Sequence, residues 1–275
     1  MTINCKGKLV ELSTPKVMGI LNVTPDSFYD GGKYKDASIV LNQVELMLNN
    51  GATFIDVGGY SSRPGADFVS EDEELNRVVP IVELILKEFP DTWISIDTFR
   101  SKVAEETVAI GAALINDISA GKLDEKMLSV IGKLRVPYIM MHMRGNPKTM
   151  QQQTSYDDLL KDIISYFGER VAKAHQLEIN DIIIDPGFGF AKTLEQNFKL
   201  LNHLELLKIA DKPILAGVSR KSMIYKSLET SAEHALNGTT ALNMIALENG
   251  ASILRVHDVK EAMECVRLFN QLKID

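Results

Sequence analysis

Cysteine is scarce: Cys5 and Cys265 stand near opposite ends of a 275-residue chain. That excludes a disulfide framework and any C-x-x-C pair. No segment approaches the roughly 18 consecutive apolar residues of a membrane span. The N-terminal stretch MTINCKGKLVELSTPKV also lacks the apolar centre of a secretory signal. A basic excess is missing too. The net charge is −7, and a nucleic-acid footprint needs a basic face, although a few Arg and Lys can still hold a small anion. There is no G-x-x-x-x-G-K-[ST], no full G-x-G-x-x-G, no Ser-His-Asp elbow and no H-x-x-x-H zinc pair. DPGFGF carries only G-x-G. No linker or low-complexity tract interrupts the chain. These absences leave the expectation of a soluble, cytoplasmic protein with neither membrane nor nucleic-acid partner.

What is present is ample for a core: 45% of residues are hydrophobic, and 24% are charged, close to the ordinary share of about 25%. One joint recurs. NNGATFIDVGG (49–59), AIGAALINDIS (109–119) and ENGASILRVHD (248–258) each run from a helix-like stretch through Gly-Ala into a strand with a polar end. Gly51, Gly111 and Gly250 are expected to end the helices in the left-handed conformation. ASIVLNQVELMLNN and ELNRVVPIVELILKEF have helical spacing, and Pro80 is expected to kink or split the second. In YDDLLKDIISYFGERVAKAH, Leu159, Leu160, Ile163, Ile164, Phe167 and Val171 share a face.

Eight short strands alternate with these helices, at about 17–22, 53–57, 93–97, 113–116, 137–141, 182–185, 213–217 and 252–256. Eight βα units in about 250 residues suggest a single-domain α/β fold, a closed (β/α)8 TIM barrel spanning 1–275. An open doubly wound sheet is the alternative. Residues 1–14 read as a short β-lid over the bottom of the barrel.

The strand ends are Asn22, Asp56, Asp97, Asn116, Met140–His142, Asp185, Gly217–Lys221 and Arg255–His257. In a barrel these meet at the C-terminal rim, where barrel enzymes work. A rim of acids, amides and cations is costly to bury unless it is paired or ligand-bound. Asp and Asn beside Lys can read a heterocycle with donor and acceptor edges. Arg255 and His257, with Arg63, suit an anion such as phosphate. Asp56 and Asp117 alternatively brace neighbouring loops. His142 reads as a rim neighbour, and His175, His203 and His234 as surface or helix-face residues. Met140, Met141 and Met143 read as core or pocket fill. The acidic run 71–74 reads as the first turn of a helix.

The segments GILNVTPDSFYDGG, DVGGYSSRPGA, SIDTFR, INDIS, IIDPGFGF, GVSRKS and RVHDV, in order over nearly all of 17–260, resemble the signatures of the dihydropteroate synthase family. The resemblance implies a (β/α)8 barrel that joins p-aminobenzoate to the methylene carbon of a dihydropterin diphosphate and expels pyrophosphate with Mg²⁺, in folate biosynthesis. Residue by residue, it implies that Asp97, Asn116, Asp185 and Lys221 line the pterin pocket and that Arg255 stacks on the pterin. Asn22 is the implied metal ligand. Ser62, Arg63, Arg255 and His257 hold the diphosphate. Phe28, Pro64, Phe190, Lys221 and Ser222 line the p-aminobenzoate pocket, the seat for which sulfonamides compete. Asp30 and Arg63 pair across two loops. Asp30, Arg63, Lys221 and His257 are the implied catalytic set, acting by an SN1-like path. A homodimer is implied as well. One departure stands out: the family's usual Ser-Thr-Arg-Pro is Ser61-Ser62-Arg63-Pro64 here. A methyltetrahydrofolate methyltransferase and a silent pterin-binding module are the rival readings.

Overall fold

The computed structural model describes residues 1–23, 33–60 and 68–273. Two antiparallel strands open the chain, β1 (Thr2–Cys5) and β2 (Lys8–Glu11). Eight parallel strands follow: β3 (Lys16–Asn22), β4 (Phe54–Gly58), β5 (Trp93–Asp97), β6 (Leu114–Asp117), β7 (Tyr138–Met141), β8 (Ile182–Asp185), β9 (Leu215–Ala216) and β10 (Ile253–Val256). Their order is β8-β7-β6-β5-β4-β3-β10-β9. A parallel bridge from Ile184 to Ile214, just before β9, closes the sheet into the expected barrel. β9 is shorter than its sequence pattern suggested. Pro213 and Gly217 flank it, and neither residue type supports a long ladder.

Helices cover the outside: α1 (Lys33–Asn49), α2 (Glu71–Glu88), α3 (Ser101–Ala109), α4 (Met127–Leu134), α5 (Leu159–Gln176), α6 (Leu194–Asn202), α7 (Ser222–Ser227), α8 (Leu236–Glu248) and α9 (Val259–Leu272). The glycine joints behave as the sequence suggested, with φ of +97° at Gly51, +114° at Gly111 and +97° at Gly250. Pro80 does not split its helix. α2 runs unbroken past it, with Val78, Ile81, Val82 and Ile85 buried on both sides. Packing of that apolar face offsets the one backbone hydrogen bond proline removes.

The period-two alternation of the strands explains how floor and mouth differ. Met18, Phe54, Leu114, Ile139, Ile183, Leu215 and Ile253 pack with Ile3, Cys5, Val10 and Leu12 of the N-terminal hairpin. This apolar floor fills the bottom of the barrel. Two residues further on, on the same inward face, stand Asp56, Asn116, Asp185 and Arg255. The outward set, including Ile55, Val57, Ile94, Ile96, Ile115, Ile182 and Leu254, packs against the helices. Burial of each such side chain contributes about 1.5–3 kcal/mol. Among the described residues no helix is long and apolar enough to cross a membrane.

Candidate functional site

The mouth is built around Arg255. Its Nε donates to Asp56 Oδ2 at 2.6 Å, and its Nη2 donates to Asp97 Oδ2 at 2.6 Å. Asn116 Nδ2 donates to the same Asp56 oxygen at 3.1 Å. Asp56 is therefore a member of the mouth and not a loop brace, a placement the sequence left open. Among the described residues its other oxygen, Oδ1, is buried without a hydrogen-bond partner, as is Ser95 Oγ, its register neighbour. Orphaned buried oxygens are unusual and point to a polar ligand edge. Burial pushes the Asp97 carboxyl up to about 7, against the pull of Arg255 and with help from Asp56. Burial also opposes the charge on Arg255, but Asp56 and Asp97 outweigh it and hold its pKa above the ordinary value.

The opposite wall centres on Asp185, which is 5% exposed. It accepts from the Gly187 N–H at 2.7 Å. Burial raises its pKa, while Lys221, that N–H and Arg255 oppose the rise. Lys221 donates to the Phe188 carbonyl at 2.6 Å, and its ammonium sits 4.9 Å from the centroid of the Phe190 ring. Burial draws its pKa down to about 8. A Cβ at Gly217 would stand 3.7 Å from Lys221 Nζ and 3.9 Å from Arg255 Cβ, so bare backbone lines the gap between the two cations.

His257 is set by Ser219. The His257 backbone N–H donates to Ser219 Oγ at 3.2 Å, and that hydroxyl lies 3.1 Å from His257 Nδ1. The two contacts orient the ring, and in the tautomer where the hydroxyl donates to Nδ1 the ring proton sits on Nε2, a donor suited to an anion's oxygen. Arg220 binds Asp258 through two bonds of 2.8 Å, joining the loop after β9 to the loop after β10. Lys221, Ser222 and His257 are thus carried on mutually braced segments. Asn22 is exposed at the tip of β3. Among the described residues no three His, Cys, Asp or Glu side chains converge on a metal position. An amide oxygen at a rim fits a cation held mainly by water and phosphate oxygens.

Phe28, Asp30, Ser62, Arg63 and Pro64 lie outside the described residues. The second loop's flanks are described. Arg77 Nη1 donates to the Gly59 carbonyl at 3.1 Å, and Arg100 Nη2 donates to the Val69 carbonyl at 2.5 Å. Arg100 also pairs with Glu74 and lies 5.4 Å from the Tyr60 ring centroid. Glu71, Asp72, Glu73 and Glu74 occupy the first turn of α2 as expected, and Glu74 is fully buried.

Asp117 does brace a loop. It accepts from the Ser119 N–H, the Ser119 hydroxyl and the Gly121 N–H, each at 2.7 Å, and from the Tyr138 hydroxyl at 2.5 Å. Met140, Met141 and Met143 are buried. His175 and His234 are exposed, and His203 is partly exposed. His142 is buried and contacts Lys192 at 3.0 Å. Sequence reasoning passed over Lys192 altogether, since a lysine seven residues beyond a strand reads as surface. Burial draws its pKa down to about 7, against the pull of Asp185.

The sequence-family description that matches, over residues 18–257, is "Pterin binding enzyme". A dihydropteroate synthase of Escherichia coli K12 is 45% identical over 271 residues, covering 98% of this chain and 95% of that one. The corresponding Haemophilus influenzae enzyme is 42% identical, with 98% of each chain covered. A Yersinia pestis dihydropteroate synthase in complex with a sulfonamide drug superposes with a TM-score of 0.92 at 44% identity, over 99% of both chains. A Xanthomonas albilineans dihydropteroate synthase with 4-aminobenzoic acid gives 0.91 at 36%, over 100% of this chain and 98% of that one. With polar strand ends on the rim of a parallel barrel and these matches over nearly its whole length, the chain belongs to the pterin binding enzyme family, among the dihydropteroate synthases.

Proposed function

We propose that this chain is a dihydropteroate synthase: it condenses a dihydropterin-methyl diphosphate with p-aminobenzoate, giving dihydropteroate and pyrophosphate. The observation that carries the proposal is the mouth, where Asp97, Asn116, Asp185, Lys221 and Arg255 share one inward rim above a closed apolar floor. Carboxylates and an amide accept from the amino and ring N–H groups of a pterin, and Lys221 donates to its carbonyl. Arg255, edge-bonded to two carboxylates, can offer its face to the flat ring. His257, with Ser62 and Arg63, receives the diphosphate. Phe190 and Ser222, with Phe28 and Pro64, seat the aromatic amine, and sulfonamides compete for that seat.

The bond from the methylene carbon to the diphosphate oxygen breaks, and its electron pair leaves with the diphosphate. The developing cation spreads into the pterin ring, beside the buried carboxylates. The lone pair of the amine nitrogen then forms the new C–N bond, and an N–H proton is released. The protein's task is electrostatic, with fixed donors aimed at charge that grows on the leaving group. Asp30 and Arg63 complete the catalytic set. Asn22 would hold Mg²⁺ together with diphosphate oxygens, and the ion would supply charge neutralisation there.

A cytoplasmic location and a homodimer complete the reading. Exposed Ile245 on α8, with Leu268 and Leu272 on α9, supports pairing through outer helices. The deciding experiment incubates purified protein with both substrates and Mg²⁺ and assays dihydropteroate. Product formation that requires both substrates is expected. Folded protein that binds neither substrate and forms no product would overturn the proposal.

A further inference from the structure

Lys192 is 5% exposed, and the reaction above makes no use of it. Its Nζ donates to the Gly187 carbonyl, the Phe190 carbonyl and His142 Nδ1, each at 3.0 Å. In its ammonium form Nζ has three N–H donors and no acceptor, so all three are engaged and His142 Nδ1 is the acceptor. Burial holds His142 well below its usual pKa, which keeps Nδ1 an acceptor. The charged and titratable groups facing Lys192 are Asp185, Lys221, Arg144 and His142.

The two carbonyls bracket the turn 187–190, which has no regular secondary structure of its own. The Phe190 N–H closes the turn on the Gly187 carbonyl at 3.1 Å, and the Gly189 carbonyl accepts from Gln151 Nε2 at 3.3 Å, while other polar groups of the turn reach the mouth and its anchors. The Gly187 N–H donates to Asp185, and the Phe188 carbonyl receives Lys221. The Gly189 N–H donates to Asn197 Oδ1 at 2.7 Å. Gly187 has φ +71°, and a Cβ there would stand 2.2 Å from the His142 carbonyl oxygen. The turn therefore lies directly on the end of β7. His142 is itself held, its ring 4.8 Å from that of Tyr166, whose hydroxyl donates to the Met141 carbonyl at 2.9 Å. A methionine would fill the space of Lys192 without burying a charge. Burial of an ammonium is a poor way to gain stability alone, and its value lies in fixing geometry.

We propose that Lys192 is a positioning residue: by clamping the Gly187 and Phe190 carbonyls against His142, it fixes the turn that aims the Asp185 carboxylate at the pterin and the Phe190 ring at the aromatic amine. This rests on the function proposed above.

The test is steady-state kinetics of the full chain carrying Lys192→Met, His142→Leu or His142→Asn, alongside the unsubstituted protein. Lys192→Met is expected to raise KM for both substrates by about tenfold, the worth of a lost hydrogen bond to a charged group, with kcat and the thermal midpoint changing much less. His142→Leu should give the same split. His142→Asn, whose amide oxygen stands near the position of Nδ1, should restore KM toward the unsubstituted value. Unchanged KM values in both Lys192→Met and His142→Leu would overturn the positioning role while leaving the enzyme assignment intact. So would a kcat loss that merely tracks the folded fraction by circular dichroism. If Lys192→Met does not fold, the two His142 variants decide. Failure of the unsubstituted protein to make dihydropteroate overturns the function, and this role with it.

Discussion

On one side of the mouth a single arginine holds two carboxylates. On the other, Lys221 and Lys192 stand near one carboxylate and spend their hydrogen bonds mostly on main-chain carbonyls. The first wall has more acids than cations, and the second has more cations than acids. Both bury charge, yet they can respond to disturbance differently. Arginine does not lose its proton in a protein, so its partners cannot be removed cheaply. A lysine can shed its charge, and burial has already drawn Lys221 to about 8 and Lys192 to about 7. The Arg255 wall therefore keeps its cation and titrates through an acid, Asp97, whereas the Asp185 wall can lose its cations.

The largest expected effect tests the Arg255 wall. Arg255→Met leaves Asp56 and Asp97 facing each other without their cation, and should lower stability by about 3–5 kcal/mol, read from urea unfolding. A loss of the same size in Asp185→Asn would erase the distinction between the walls.

Next in size, Asp185→Asn should weaken pterin binding by about 2–4 kcal/mol, because the lysines beside it can neutralise while the ligand's donors cannot. Calorimetry with a pterin monophosphate reads this, and unchanged affinity would remove Asp185 from the pterin seat.

His257→Ala should act on the diphosphate alone. Pyrophosphate binding should fall by about 1–2 kcal/mol, while a pterin without phosphates should bind as before. Equal losses for the two ligands would show that His257 does not discriminate between ring and diphosphate.

Taken per unit of pH the remaining effect is small, at most about 1.4 kcal/mol for each group, and here the walls should differ in sign. Asp97 is raised from 3.8 to about 7 in the folded chain, so the folded state holds more protons than the unfolded one between those values. Its contribution to stability is present below about pH 4 and is lost as pH rises toward 7. Lys221 is lowered from 10.5 to about 8, so the unfolded state holds more protons between 8 and 10.5. Its contribution is present above about 10.5 and is lost as pH falls through 8. Thermal midpoints of Asp97→Asn and Lys221→Met, each set against the unsubstituted protein across pH 4–10, should show opposite slopes in these two windows. Parallel slopes would mean that the walls titrate alike.

Much of the barrel was legible from spacing alone. The glycine joints marked three helix ends, and their positive φ values agree. The strand ranges in the sequence match the ladder within a residue or two, except at β9, where proline and glycine confine the pairing. Pro80 does not split its helix, because its local cost was readable while the buried apolar face spanning it was a tertiary gain. Glu74 completes the acidic first turn as the sequence suggested, and packing adds its pairing with Arg100, which no local pattern announces. Asp56 and Asp117 were alike in the sequence, each an acid ending a strand. The alternation of side chains sends Asp56 inward to Arg255. Asp117, next to inward-facing Asn116, accepts the hydroxyl of outward-packed Tyr138.

By itself the sequence determined the βα repeat, the closed barrel it favours and the polar residues at the strand ends, because hydrophobic periodicity and turn chemistry act over a few neighbouring residues. Only the tertiary structure decided which polar side chains pair. Asp56 meets Arg255 across 199 positions, and His142 meets Lys192 across 50. Whether such a group is a surface charge or a buried clamp depends on closure of the sheet and on burial, and neither is a property of any local stretch of chain.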